Sequence, residues 1–189
     1  MRSNRILSLP VYDMHAVYGE NFNMQGPLSG KVFTLDEVDP SATDFVRTTI
    51  SSILEKNGSY HMLLTTAKEA EVMIGLTPVA GSRAERIALI QKTGERVGAD
   101  SVLCTYIYAF RNRVGSAYGV ERPTMVSFEM NLVSVATGRI VWQRDFTETQ
   151  QTLNENLLKL GKFLQRKGRW VTAQEMAAKA LEDILASLP

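Results

Sequence analysis

Apolar and polar positions alternate most clearly over residues 126–132, where Val126, Phe128, Met130 and Leu132 interleave with Ser127, Glu129 and Asn131. A period of two makes one face of a strand apolar. The run turns at Thr137-Gly138 and resumes as Arg139-Ile140-Val141-Trp142, so the pattern predicts a β-hairpin. Gly138 supplies the positive φ that a short loop needs, as in a type I turn closed by a bulge.

Elsewhere the period changes with position. Ile6-Leu7-Ser8-Leu9-Pro10-Val11 predicts a first strand with Pro10 near its end or on an edge. Residues 13–39 follow as a long irregular segment rich in Gly, Asn and Pro, longer than an ordinary connection and so a candidate for function or mobility. Asp39 as N-cap and Pro40 at the first helical position open a helix that carries Val46, Ile50, Ile53 and Leu54 and stops at Gly58. His61-Met62-Leu63-Leu64 predicts a second strand, and Ala67 to Ile74 a short helix. Ser82-Arg83-Ala84-Glu85 is a capping box, opening a helix that buries Ile87, Ile90 and Val97. Residues 101–110 are apolar on both faces, the mark of a central strand. After the hairpin, helical spacing returns at Leu153, Leu157 and Leu160. A second capping box, Thr172-Ala173-Gln174-Glu175, opens a final helix with Met176, Ala177, Ala180, Leu181, Ile184, Leu185 and Leu188 in one stripe.

This order predicts an α/β fold: a mixed sheet of parallel strands plus a C-terminal antiparallel hairpin, with helices on both faces. The 189 residues are expected to form a single domain, 1–189, with 13–39 as its long loop.

Composition removes several functions and adds none. Lys+Arg 21 against Asp+Glu 20 leaves a net charge of +1, which argues against nucleic-acid binding. Neither phosphate-cradling glycine motif is present. His15 and His61 are far apart, Cys104 is alone, and a cation near His15, Asp13 and Glu20 is less expected than a solvated loop. Cys104 falls in the most apolar strand, where a thiol is inert, and no nucleophile elbow occurs. The expectation is therefore no enzyme activity, no cofactor and no metal. No run suits a spanning helix, and the apolar run after Arg5 is cut by Pro10 and Asp13, too short for a signal-peptide core. A mature chain given a start methionine would look the same.

Two basic features are candidates for contact. Arg111, Arg113 and Arg122 frame a glycine-containing loop with Tyr118, which suits a partner, or equally a sheet connection whose charges discourage edge pairing. Lys159, Lys162, Arg166, Lys167 and Arg169 could face an anionic surface, though a solvated face pinned by Phe163 and Trp170 takes precedence.

The hairpin Leu132-Val133-Ser134-Val135-Ala136-Thr137-Gly138-Arg139-Ile140-Val141-Trp142 resembles the L-x-D-x-x-T-G-x-I-V-W hairpin of a group of bacterial envelope lipoproteins. The group includes the curli-secretion lipoprotein, the penicillin-binding-protein activator lipoprotein B, and relatives with a fold like the TolB N-terminal domain. Residues 97–103, Val-Gly-Ala-Asp-Ser-Val-Leu, are similar to the group's entry to the preceding strand. Phe146 to Gln150 and Arg166 to Ala173 resemble segments of an uncharacterised proteobacterial lipoprotein subgroup. Ser134 stands where the group often carries aspartate, so no role for that acid carries over.

The resemblance implies a TolB N-terminal-domain-like fold and a periplasm-facing domain, anchored at the outer membrane through a lipidated cysteine that this sequence does not show. The expected function is non-enzymatic. The domain would bind an envelope protein or support assembly of an envelope complex, with Arg111, Arg113, Tyr118, Arg122 and the 13–39 segment as contact surfaces. A homo-oligomer is a further expectation. The alternative is a small-molecule-binding or catalytic domain with a cleft at the strand ends near Tyr12 and Asp13.

Overall fold

The computed structural model describes residues 4–19, 22–65, 81–115, 120–150 and 171–189. In chain order these form β1 (Asn4–Asp13), α1 (Met14–Tyr18), β2 (Asn23–Gln25), β3 (Val32–Thr34), α2 (Ala42–Asn57), β4 (Tyr60–Leu64) and α3 (Arg83–Val97). Then come β5 (Ser101–Arg111), β6 (Val114–Gly115), β7 (Val120–Arg122), β8 (Met125–Ser134), β9 (Arg139–Thr149) and α4 (Ala173–Leu185). The helix expected over 67–74, the Leu153–Leu160 spacing, the 159–169 basic stretch and Tyr118 lie outside the described residues.

The main sheet has five strands in the order β4-β1-β5-β8-β9. β1 runs parallel to both β4 and β5, while β5–β8 and β8–β9 are antiparallel. This is the mixed α/β sheet that the alternating elements predict. β5 sits at its centre, and residues 101–110 are all buried, as expected of a strand covered on both faces.

One face carries Ile6, Leu103, Ile107, Phe128, Met130 and Leu132 and is sealed by α2 and α4. The spacing of Val46, Ile50 and Leu54 on α2, and of Met176, Ala177, Ala180, Leu181 and Leu185 on α4, puts each helix's apolar stripe against that face. Burying a Leu or Ile side chain contributes about 1.5–3 kcal/mol each, so this double layer is the main source of stability. The opposite face carries Leu7, Val102, Cys104, Tyr106, Tyr108 and Val133 beneath α3 and the segment between α1 and α2. Gly94 lets α3 approach closely, because a Cβ there would lie 2.4 Å from Val135 Cγ2 and 2.8 Å from Val102 Cγ2.

Local expectations shift in three places. Pro10 lies within a strand that is internal over its first half and runs on to Asp13, but at Pro10 β1 is a local edge. The proline is tolerated because it falls beyond the last β4 pair, Ser8–Leu64, and within the register shift against β5 between Ser8 and Val11. Helix α2 starts at Ala42 rather than Pro40. Asp39 turns the chain instead, its Oδ1 accepting from Ser41 N–H at 2.8 Å and Ser41 Oγ at 2.6 Å. In the hairpin Gly138 has φ 61, and the bulge lies past the turn, at the shift between Leu132–Trp142 and Val133–Ile140. Both capping boxes form as the sequence predicts.

The chain ends lie at one pole of the sheet. Asn4 pairs with Tyr60, and the Tyr60 hydroxyl donates to Leu188 O at 3.1 Å and Pro189 O at 3.0 Å.

Candidate functional site

At the opposite pole, β1 ends at Asp13, opposite Ile107 of β5. The chain then leaves the sheet and returns at Asp36, whose N–H donates to Tyr108 O at 3.0 Å, and Val38 bridges in parallel to Phe110. The returning residues take up the place of β1 beside β5. Residues 14–35 are thus an excursion with adjacent ends, which accounts for the length of the irregular 13–39 segment.

The excursion is anchored by its own few apolar residues. Asp13 caps α1 by accepting from Ala16 N–H at 3.0 Å, and Met14, Leu28, Phe33 and Leu35 are buried. Residues 22–35 lie as a strap over the second face of the sheet. Phe33 stacks on Tyr108 with ring centroids 4.0 Å apart and planes at 3°. Arg86 of α3 donates from Nε and Nη2 to Pro27 O at 3.1 and 2.8 Å, and Lys31 pairs with Asp145 of β9.

Beneath the strap lies Glu129, the middle member of a polar row on a buried strand. Ser127, Glu129 and Asn131 of β8 are 1%, 0% and 0% exposed. Ser127 Oγ lies 2.8 Å from Thr147 Oγ1, and Tyr108 donates its hydroxyl to Glu129 Oε1 at 2.8 Å. Glu129 Oε2 and both polar side-chain atoms of Asn131 lack a partner of full hydrogen-bond geometry. Burial raises the Glu129 carboxyl above its ordinary value of 4.5 and the Asp145 charge adds to this, while nearby Ser29, Tyr108 and Asn131 act in the opposite direction. Burial likewise pushes up the Tyr106 and Tyr108 hydroxyls and the Cys104 thiol, and takes Tyr12 to about 12. Gly26 closes over the acid. A Cβ there would lie 2.7 and 2.8 Å from the two carboxylate oxygens and 2.4 Å from Ser29 Oγ.

The arginines singled out from the sequence meet the excursion at this pole. Arg111 Nε lies 3.0 Å from Asp36 Oδ1, with side chains 11% and 19% exposed. Arg111 also donates to Pro123 O at 2.6 Å. Arg122 reaches Asp36 Oδ1 and Glu37 Oε2, each at 2.8 Å. Arg113 N–H donates to Thr124 Oγ1 at 3.1 Å. The charges of Arg111 and Arg122 are therefore spent on holding the base of the β6–β7 ribbon against the returning chain. Two regions singled out separately thus form one surface.

Exposed apolar side chains concentrate on the excursion and the ribbon. Of the seven large hydrophobics exposed among the described residues, Val17, Tyr18, Phe22 and Val32 belong to the excursion and Val114 to the β6–β7 ribbon. Sequence reasoning missed the Glu129 cluster. Its signal was an acid in the middle of a strand that pairs with the most apolar run of the chain.

A cleft of about 320 Å³ does lie at the ends of the parallel strands, lined by Pro10, Val11, Thr43, Asp44, Arg47, Leu64 and Thr65. It is displaced from the expected position, since Asp13 caps α1 and Tyr12 stacks on Tyr106 at 5.7 Å. Among the described residues, no group of three His, Cys, Asp or Glu is placed to hold a metal ion, and no helix is long and apolar enough to cross a membrane.

No family model and no curated protein sequence matches the chain. Solved structures do. The PelC dodecamer of Paraburkholderia phytofirmans matches with TM-score 0.55 and 13% identity, over 98% of this chain and 86% of that one. The hypothetical protein CT253 of Chlamydia trachomatis matches with TM-score 0.51 and 10% identity, over 97% of this chain and 94% of that one. Lipoprotein GNA1162 of Neisseria meningitidis is also similar, with TM-score 0.45 and 15% identity over 87% of this chain and 98% of that one. At these identities the likeness is one of fold, and the chain has the mixed-sheet α/β fold that it shares with PelC and CT253.

Proposed function

We propose that this chain is a non-enzymatic, periplasm-facing envelope domain of lipoprotein type that binds a protein partner through the excursion pole. The observation that carries the reading is the gathering of Val17, Tyr18, Phe22 and Val32 on a segment pinned to the sheet by buried side chains. Exposed apolar side chains on a segment seated by buried residues suit partner contact, because ordering already present in the seated segment is not lost again on binding. The envelope assignment is supported by the hairpin resemblance at residues 132–142. Assembly with like or unlike chains is supported by the shared fold with PelC, which was solved as a dodecamer. Arg113, Arg122 and the β6–β7 ribbon would form the polar rim, as polar residues commonly do around an apolar contact.

Cross-linked pull-down from envelope extracts tests this. Wild type should retain a specific band that the double variant Val17→Asp, Phe22→Asp loses while melting at the wild-type temperature. Equal recovery by both would refute the contact surface.

The strand-end cleft favours a second reading, a small-molecule site lined by Thr43, Arg47 and Thr65. Thermal-shift screening separates the two, since a ligand at about 100 times its Kd adds about 2.7 kcal/mol. No shift across nucleotides, sugars and metals would remove it.

A further inference from the structure

We propose that Glu129 is a pH-sensitive latch for the strap: protonated, it lets residues 22–35 seat on β8, and on ionising it drives them off. This goes beyond partner binding and concerns the chain alone.

The geometry makes the strap the element that must respond. Glu129 is wholly buried, and its backbone is fixed in ladders on both sides, paired with Tyr106 of β5 and Asp145 of β9. The sheet cannot give water access to the carboxylate without breaking those ladders. The strap can, because it meets the acid through Gly26 and Ser29 and is held without ladder pairing to β8, by the buried side chains of Leu28, Phe33 and Leu35, the Arg86 bonds to Pro27 O and the Lys31–Asp145 pair.

Among the described residues no cation acts on the charge. From β5 the acid faces Tyr108, Tyr106 and Cys104, all neutral because burial pushes their ionisation up. From β8 it faces the neutral Asn131, and from β9 a second carboxylate, Asp145. Lys31 of the strap and Arg86 of α3, which holds it, have other partners: Lys31 pairs with Asp145, and Arg86 donates to Pro27 O and Gly81 O. An ionised Glu129 would be a buried charge beside a like charge and without a described cation, held by polar neighbours alone: the Tyr108 hydroxyl on Oε1, with Ser29 and Asn131 near by and no full-geometry bond on Oε2.

The sign follows from linkage. The strap-closed state holds the Glu129 proton more tightly than a hydrated carboxyl of ordinary value 4.5. The closed state is therefore fully favoured below 4.5 and loses ground as pH rises through the raised value, by up to about tenfold per pH unit. Above the raised value the ratio is constant.

Hydrogen exchange by mass spectrometry, corrected for the intrinsic pH dependence, reads this directly. Strap amides of 22–35 should lose protection by up to about tenfold per pH unit between pH 4.5 and the plateau, while α4 amides stay unchanged. Glu129→Gln keeps the acceptor for Tyr108 and should hold the strap protected at every pH. Asp145→Asn removes the like charge and should narrow the window over which protection falls. A flat wild-type strap, or the same fall in Glu129→Gln, overturns the latch. If Glu129→Gln does not fold, an unaltered window in Asp145→Asn overturns it instead. Because no partner enters the measurement, its failure would leave the contact surface untouched.

Discussion

The two faces of the one sheet are covered by different physics. Against the first, α2 and α4 lay continuous apolar stripes on Phe128, Met130 and Leu132, and the polar side chains buried with them in the sheet, Ser8 and Thr105, are small hydroxyls rather than a carboxyl or an amide. Against the second, α3 covers one end and the strap covers Glu129, which lies in a buried polar row with Ser127 and Asn131. The first face supplies stability through buried area. The second gives part of it back by burying a carboxyl and an amide with incomplete partners. A single alternating strand, β8, serves both, so the difference lies in what the rest of the chain lays over it.

Substitutions on either side of β8 test that contrast, and Phe128→Ala should do most damage. It opens a cavity where the ring meets Phe146 at 5.6 Å, and should cost about 3–5 kcal/mol of global stability in urea unfolding. A cost near that of an exposed site would mean the first face is not the main core. Gly26→Ala on the strap should cost less, about 1–3 kcal/mol, because the added methyl must displace Ser29 or the Glu129 carboxylate. Its damage should register in strap amides before α4 amides; equal loss in both would show the strap and helices unfolding as one. Lys31→Met should be the mildest. Its ion pair with Asp145 has side chains 52% and 33% exposed, so removing it should change the melting free energy by less than about 1 kcal/mol. A larger loss would mean the pair, rather than Phe33 and Arg86, holds the strap.

What could be read in advance was whatever depended on near neighbours. The capping boxes at Ser82 and Thr172 form because their partners, Glu85 and Glu175, are three residues away. The central place of β5 followed from apolar side chains on both of its faces. The apolar face of β8 was legible from its period of two; the burial of its polar face was not. Glu129 is hidden by Gly26 and Ser29, about a hundred residues earlier in the chain, and a glycine and a serine carry no apolar pattern to announce a cover. Arg111 and Arg122 were picked out as charged loop ends, but their acids, Asp36 and Glu37, lie in a segment whose return to the sheet only the fold reveals. The acid in mid-strand was a visible local contradiction, and such contradictions often mark sites with a task beyond stability.

The hydrogen bonds from Tyr60 to the last two carbonyls give the molecule a direction. With both chain ends at one pole and α1 at the other, β1 acts as a rigid spacer. Its 10 residues, nine steps of about 3.3 Å, set the poles about 30 Å apart. A dye or a surface linkage placed at Asn4 or at Pro189 is carried on the same side and leaves the exposed Val17 and Tyr18 clear. Immobilised by either end, the chain displays the same pole to whatever approaches.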